Sequence, residues 1–222
     1  MDLRDNIEAV HEVLVKEGID NTWEFQRPYG EANATADKIY RLFDVNERRP
    51  QIVTDKEYKK SKFTEVYSGS CDIDKLVNCY QDGDFKMWGR GFMYGYGFYF
   101  TPKFDVARKT YARDQKRKNM MKAKILPSAK VVTATDYGYM LCTEFPVADQ
   151  RLPISPKDDF DKKRLIVSNI VNGFEMYSFG ALMFGYDALT TTDKEIYNVL
   201  NRDITIQTAD PTVKSFEKVL QI

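Results

Sequence analysis

The sequence predicts an α+β protein in which a helical segment precedes a sheet. Helical patterns fill the first 62 of the 222 residues, and short strand-like runs separated by turn residues fill much of the remainder. Helices that come first and strands that follow are typical of the α+β class. We therefore expect an N-terminal helical lobe over 1–62 and a sheet-containing domain over 63–222, or one compact unit formed by both.

The helical lobe is expected to contain three helices. Apolar residues recur at helical spacing within 3–17, and a glycine at position 18 ends that helix. Residues 34–43 predict a second helix. Residues 54–57, Thr-Asp-Lys-Glu, have the form of a capping box, which predicts a short third helix. The expected role of this lobe is to support the sheet.

The second part of the chain predicts short strands mixed with helices. Residues 63–67 alternate and are rich in strand formers, so they predict the first strand. Ser70 or Asp72 would cap a helix that runs through Tyr80. The remaining expected elements are a glycine–aromatic strand ending near Phe100, a helix over 105–118, strands over 121–126 and 130–133, a loop over 149–156, a helix over 160–171, one or two strands within 177–190, and final strands over 197–201 and 204–207.

Composition argues against several kinds of site. The 33 basic and 33 acidic residues cancel, so we expect no overall attraction to nucleic acid or to an anionic membrane. No apolar run approaches the roughly 20 residues that a transmembrane helix needs. Three scattered cysteines and a single histidine, His11, predict no metal site and no disulfide framework. These features are typical of a protein in a reducing cytoplasm.

The most unusual stretch is 83–112, where five glycines and many aromatic residues precede a basic helical run. Glycine lets a backbone approach a flat ligand closely, and aromatic rings can cover that ligand. The stretch therefore predicts a ligand-binding cleft. The same pattern also fits an aromatic strand buried in an ordinary core.

The middle of this stretch resembles the second motif of the ADP-ribosyltransferases. Residues 95–100, Gly-Tyr-Gly-Phe-Tyr-Phe, are similar to the glycine–tyrosine–phenylalanine strand of the poly-ADP-ribose-polymerase-like members, which a helix follows. The resemblance implies that Tyr99 takes the position of the central tyrosine and that Gly97 and Phe100 line the NAD cleft. Tyr111, which is reached with one inserted residue, resembles the second ring that packs the nicotinamide.

A first motif of the same family is matched in part. Tyr67-Ser68-Gly69 resembles the family's Tyr-Arg-Gly at the end of its first core strand, and the resemblance implies that these residues hold the adenosine half of NAD. Ser68 stands where the family has Arg or His. A serine can donate and accept hydrogen bonds but supplies no cation for a pyrophosphate. Arg90 is the candidate for that cation because it lies nearby in the sequence.

The third motif is expected within 185–201. This segment resembles the Gly-Tyr-Asp-Ala and Val-Leu-Asn sequences of phage-associated and bacterial members. In that register the family's catalytic carboxylate falls at Ile196 or Asn198, and neither is acidic. Glu195 is the candidate catalytic acid if a bulge or a loop end re-aims it, because strand alternation alone would turn it to the other face. Asp187 is the alternative acid.

The resemblance covers roughly residues 63–207 and implies a split, twisted antiparallel sheet. It also implies transfer of ADP-ribose from NAD to a macromolecule, with NAD as substrate, no metal, no membrane partner and a protein as the expected acceptor. The basic run 108–124 leaves nucleic acid as an alternative acceptor, although such runs are more often solvated helix faces. The implied location is the cytoplasm of a bacterium or of an infected host cell.

Two other interpretations stay open. A catalytically degenerate member of the fold would bind a partner or a nucleotide without turnover, which the serine at position 68 and the misplaced acid favour. A structural or interaction protein would use the aromatic strand only as part of its core. In that second case, truncation of Tyr99 would reduce stability and no NAD analogue would bind.

Overall fold

Helices and mixed β-sheets build the protein, which confirms the predicted α+β class. The computed structural model describes residues 2–18, 38–45, 47–70, 72–82, 97–110, 119–144, 158–171 and 177–214. The described helices are α1 Leu3–Lys16, α2 over 38–42, α3 Asp55–Lys60, α4 Ile73–Asp82, α5 Phe104–Thr110, α6 Ala134–Glu144, α7 Asp159–Val171 and α8 Tyr177–Met183. The described strands are β1 Gln51–Ile52, β2 Thr64–Gly69, β3 Phe98–Phe100, β4 Asn119–Ile125, β5 Val131–Thr133, β6 Ala188–Thr190, β7 Tyr197–Val199, β8 Thr205–Gln207 and β9 Thr212–Lys214, and a 3-10 turn spans Arg202–Ile204.

The strands form a five-stranded and a four-stranded sheet within the described residues. The first has the order β1–β8–β4–β2, with β9 pairing along the other part of β4, and the second has the order β3–β7–β6–β5. The expectation of purely antiparallel pairing is wrong, because β1 pairs with β8 and β5 pairs with β6 in parallel. The remaining strand pairs are antiparallel.

A short bridge joins the two sheets between β2 and the end of β3. The backbone N–H of Tyr67 donates to the carbonyl oxygen of Thr101 at 2.8 Å, and the N–H of Thr101 donates to the carbonyl oxygen of Tyr67 at 2.9 Å. The edge strand β2 of the five-stranded sheet therefore meets the edge strand β3 of the four-stranded sheet at this point.

The N-terminal third packs directly on the sheet-containing part. α1 contacts α7 and α8 through its buried face, which carries Ile7, Val10 and Leu14. Strand β1, which the sequence did not predict, pairs with β8. The Lys124 ammonium of β4 donates to the carbonyl oxygens of Tyr58 and Ser61, each at 2.7 Å.

Local signals predicted several elements correctly. The helix at 3–17, the capping-box helix, the strand at 63–67 and the helix at 160–171 are all present as α1, α3, β2 and α7. Thr54 caps α3 as predicted, accepting from the N–H of Glu57, whose carboxylate accepts from the N–H of Thr54. The predicted loop at 149–156 and the second half of the predicted helix at 105–118 lie outside the described residues.

The prediction for 177–190 is wrong in its first half. Tyr177–Met183 forms helix α8, and only Ala188–Thr190 is a strand. Every residue of 178–183 is buried, so the segment has no exposed polar side and no one-sided helical pattern. A short apolar run of this kind does not distinguish a buried strand from a buried helix. The helix α6 and the strand β9 were also missed.

Candidate functional site

The first motif lies at the end of β2, where its side chains pack within the protein. The Tyr67 ring stands edge-on to Phe104 of α5 with a centroid separation of 5.2 Å, and its hydroxyl donates to Glu65. Burial raises the pKa of Tyr67, and the hydrogen bond to Glu65 adds to this effect. Ser68 is also buried and lies opposite Met121 of β4. Because adjacent residues in a strand point to opposite faces, Tyr67 and Ser68 contact different layers.

The second motif forms β3, whose aromatic residues are split between two faces. Phe98 and Phe100 stand edge-on to the Tyr80 ring of α4, at centroid separations of 4.8 and 5.3 Å. Tyr99 faces the other way and is 8 % exposed. Its cross-strand partner is Asn198 of β7. Tyr99 and Asn198 therefore share one face of the second sheet.

Gly97 lets the Asn198 side chain pack closely against the backbone of the chain, and it does not face an open surface. A Cβ atom at this position would overlap the side-chain amide of Asn198, and the backbone has a φ of 153°. Asn198 itself is fully buried. The side of Gly97 that was predicted to face a ligand is therefore covered by Asn198.

Glu195 lies in the turn before β7 and is oriented by that turn. Its backbone N–H donates to Thr191 Oγ1 at 2.9 Å and to Asp193 Oδ1 at 3.1 Å, and Lys194 has a φ of 56°. The Glu195 side chain is 41 % exposed and forms an ion pair with Lys103, which lies between β3 and α5. The turn therefore places the carboxylate at the surface next to the end of the second motif.

The two positions of the third motif where the family's catalytic carboxylate would fall, 196 and 198, carry side chains that pack within the protein. Ile196 packs against the main core, and Asn198 fills the space beside Gly97. The alternative acid, Asp187, is fully engaged in local structure. Its Oδ2 accepts from the N–H of Lys130 at 2.9 Å and its Oδ1 accepts from Asn201 Nδ2 at 2.7 Å. Asp187 therefore ties the loop before β5 to the segment after β7.

Two predicted residues lie outside the described part of the chain. Arg90 and Tyr111 are in the ranges 83–96 and 111–118, as is much of the basic run. Within the described part of that run, Arg108 pairs with Asp105 at 3.1 Å. This is a local pairing within α5, and the exposed position of Asp105 is typical of a solvated helix face.

A cleft of about 690 Å³ lies between the two sheets, and we call it the inter-sheet cleft. The sequence did not predict it, because it depends on long-range packing. Its walls come from the start of β2, the end of β4 and strands β5 to β7, including Thr64, Ile125, Val132, Thr190 and Tyr197, with Lys62 and Lys194 also contributing.

The two candidate acids, Glu195 and Asp187, each adjoin a residue that lines this cleft. Lys194 directly precedes Glu195 and Tyr186 directly precedes Asp187, and both contribute to the cleft wall. A volume of this size is in the range of small-molecule sites. Tyr67, Ser68, Tyr99, Phe100 and Glu195 are not among the residues that line this cleft, so it adjoins the motif segments without containing their predicted site residues.

No family model, curated protein or solved structure matches the chain. The described helices include none that is both long and apolar enough to span a bilayer. Across the same residues, no three or more His, Cys, Asp or Glu side chains cluster as a metal ion would require.

Proposed function

We propose that the protein is a NAD-dependent mono-ADP-ribosyltransferase that modifies a macromolecule, with a protein as the preferred acceptor. The observation that supports this proposal is the adjacency of the three motif segments. β2 meets the end of β3 through the bridge between Tyr67 and Thr101, and β3 pairs with β7. The first, second and third motifs therefore lie side by side, with Glu195 of the third motif just before β7.

The proposed chemistry needs a carboxylate beside the ribose of NAD. As the bond to nicotinamide breaks, positive charge develops on the ribose, and a fixed carboxylate stabilises that charge. Glu195 is the proposed acid because it is exposed and belongs to the turn before β7. The ion pair with the Lys103 ammonium restricts the orientation of this carboxylate. The same carboxylate would orient the acceptor group.

Burial divides the proposed NAD-binding residues into two groups. Tyr67, Ser68 and Phe100 are buried in the protein's own packing, so their contribution is to hold the strands in place. Gly69 is partly exposed at the end of β2, where its backbone can reach a ligand. Tyr99 exposes only a small part of its ring, so it would touch the nicotinamide at one edge.

A degenerate binding protein of the same fold is the second candidate. It is favoured by the in-register positions of β7, where Ile196 contacts the core and Asn198 contacts Gly97. It is also favoured by Ser68, which supplies no cation for a pyrophosphate. Such a protein would bind NAD or a related nucleotide and release no nicotinamide.

Transfer of labelled ADP-ribose from NAD into a bacterial lysate tests the proposal. We expect labelling by the wild type, loss of labelling with Glu195→Gln, and retained labelling with Asp193→Asn. Asp193 is a matched control because it is an exposed acid in the same turn, and asparagine keeps the oxygen that accepts from the N–H of Glu195. Labelling that persists in Glu195→Gln would move the catalytic acid elsewhere. Absence of both labelling and nicotinamide release in the wild type would favour the degenerate protein.

A further inference from the structure

The inter-sheet cleft is built from the same two sheet faces that bury the main core. On the five-stranded sheet, Thr64 and Ile125 are cross-strand partners, and both line the cleft. Two residues further along β2, and therefore on the same face, Val66 is fully buried in the main core. The cleft thus continues the apolar layer between the sheets towards the surface. The proposed transfer reaction does not use these residues.

One row of side chains forms the wall on the four-stranded sheet. Thr133, Thr190 and Tyr197 are successive cross-strand partners on β5, β6 and β7, so they share a face, and all three line the cleft. Burial raises the pKa of Tyr197, against the opposing effect of its hydrogen bond with Thr190, so the hydroxyl is neutral at neutral pH. This row therefore presents an aromatic ring and hydroxyl groups without negative charge.

The charged side chains of the described lining are two lysines and one aspartate. The aspartate, Asp136, is engaged at the start of α6, where its Oδ2 accepts from Thr133 Oγ1 at 2.7 Å and its N–H donates to the same hydroxyl at 3.1 Å. Lys62 and Lys194 are exposed, and neither forms an ion pair with another described residue. The lining therefore has a net positive charge, which favours an anion.

A closed turn presents Lys194 to the cleft. The N–H of Lys194 donates to the carbonyl oxygen of Thr191 at 2.8 Å, and the N–H of Thr191 donates to the carbonyl oxygen of Ile196 at 3.1 Å. The next residue, Glu195, pairs with Lys103, whereas Lys194 contributes to the cleft wall. The backbone that carries the Lys194 ammonium is thus ordered before a ligand binds, which reduces the entropic cost of binding.

We propose that the inter-sheet cleft binds a small aromatic carboxylate, with its ring against the apolar walls and its carboxylate paired with Lys194. Phe63, Tyr186 and Tyr197 supply aromatic surface for the ring, and Lys62 adds electrostatic attraction. A carboxylate fits better than a phosphate, because the described lining contains no arginine fork and Asp136 occupies the start of α6. For one exposed ion pair and a partly covered ring, we expect a dissociation constant of about 0.1–1 mM.

Titration of the ¹⁵N-labelled full chain with naphthoate, followed by amide NMR shifts, tests this site. We expect saturable shifts that are largest within 131–133, at Thr190 and within 194–197. Naphthylmethylammonium, which has the same rings and the opposite charge, should bind at least about tenfold more weakly. Equal binding of the two probes would contradict the preference for an anion. No saturable shift up to about 10 mM naphthoate, or largest shifts elsewhere, would overturn the site.

Two variants separate the charge from the cleft itself. Lys194→Gln should weaken naphthoate binding about threefold to fivefold, as expected for the loss of one exposed ion pair. Lys59→Gln is the matched control and should bind as the wild type does, because Lys59 is an exposed lysine that does not line the cleft. Equal binding by Lys194→Gln and the wild type would overturn the assignment of Lys194.

The second variant, Thr64→Trp, places a large ring in the cleft from an exposed strand position that tolerates aromatic residues. It should reduce naphthoate binding at least about tenfold while circular dichroism shows an unchanged fold, because the ring takes up space that the ligand needs. Wild-type affinity in this variant would overturn the location of the site. NAD takes no part in these titrations, so their outcome is independent of the proposed transfer reaction.

Discussion

The two parts of the candidate site differ in what their side chains do. Where β2, β3 and β7 meet, Tyr67, Tyr99 and Asn198 are buried, and the backbone bridge between Tyr67 and Thr101 joins the two sheets there. In the turn before β7, Glu195 is partly exposed and contacts exposed Lys103, which lies between β3 and α5. We call the first part the strand junction and the second the acidic turn.

This difference determines how mutations should be interpreted. A substitution in the strand junction removes packing, so a loss of activity there would be mixed with a loss of folded protein. A substitution in the acidic turn removes charge at the surface, where stability is little affected. Activity and stability should therefore separate only in the acidic turn.

Truncation of Tyr99 should give the largest loss of stability. Tyr99→Ala removes a ring from the main core, and we expect the free energy of unfolding to fall by about 3–5 kcal/mol. Tyr99→Phe keeps the ring, so it should cost about 1 kcal/mol at most. Urea unfolding followed by circular dichroism measures both. A loss below about 1 kcal/mol for Tyr99→Ala would show that the ring is not part of the core.

Alanine substitutions at Gly97 and Gly185 should separate the cost of backbone strain from the cost of lost close packing. Gly97 and Gly185 both have positive φ, but a Cβ atom overlaps Asn198 only at Gly97 and meets open space at Gly185. Both alanine substitutions should cost about 1–3 kcal/mol for the backbone conformation. Gly97→Ala should cost about 1–3 kcal/mol more, because the strands must move apart. Equal losses in the same unfolding assay would contradict the close packing of Gly97 against Asn198.

Alkaline pH should weaken the strand junction through Tyr67. Its pKa is raised in the folded protein, so above about pH 10 the unfolded chain loses this proton while the folded chain keeps it. Stability is then fully present below that pH and falls as the pH rises, by about 1.4 kcal/mol per pH unit for this one group. Tyr67→Phe should show a correspondingly shallower decline in unfolding free energy. An unchanged slope in the variant would contradict the buried hydroxyl.

The acidic turn should show the smallest change in stability. Glu195→Gln breaks an exposed ion pair, and exposed pairs contribute about 0–1 kcal/mol. Thermal unfolding of Glu195→Gln and Lys103→Met should therefore stay close to that of the wild type. A loss as large as that of Tyr99→Ala would mean that the pair has a structural role, and the contrast between the two parts would not hold.

Elements with strong local signals could be predicted from the sequence. The apolar spacing of α1 and the capping box of α3 depend on residues three or four apart, and both helices are present. Helix α8 could not be recognised, because 178–183 is buried on every side and gives no periodic contrast. Strand β1 has only two residues, and its pairing with β8 depends on contacts far along the chain.

The candidate site was predictable in part for the same reason. The aromatic strand and its glycine could be read locally, and β3 is present where the pattern indicated. The burial of Ser68 and Tyr99 depends on packing between the sheets, which no local pattern contains. The direction of Glu195 depends on the turn that includes Lys194 at positive φ, where strand alternation does not apply. The inter-sheet cleft likewise arises only when both sheets are in place.

Release of nicotinamide from NAD by the purified protein is the most direct test of the proposed function, because it requires no acceptor. We expect measurable release by the wild type and at least about a hundredfold slower release by Glu195→Gln, as for the loss of a group that stabilises transition-state charge. Asp193→Asn should retain release, and unfolding curves should show that all three proteins are equally folded. Equal rates for the wild type and Glu195→Gln would contradict the assignment of the catalytic acid to the acidic turn.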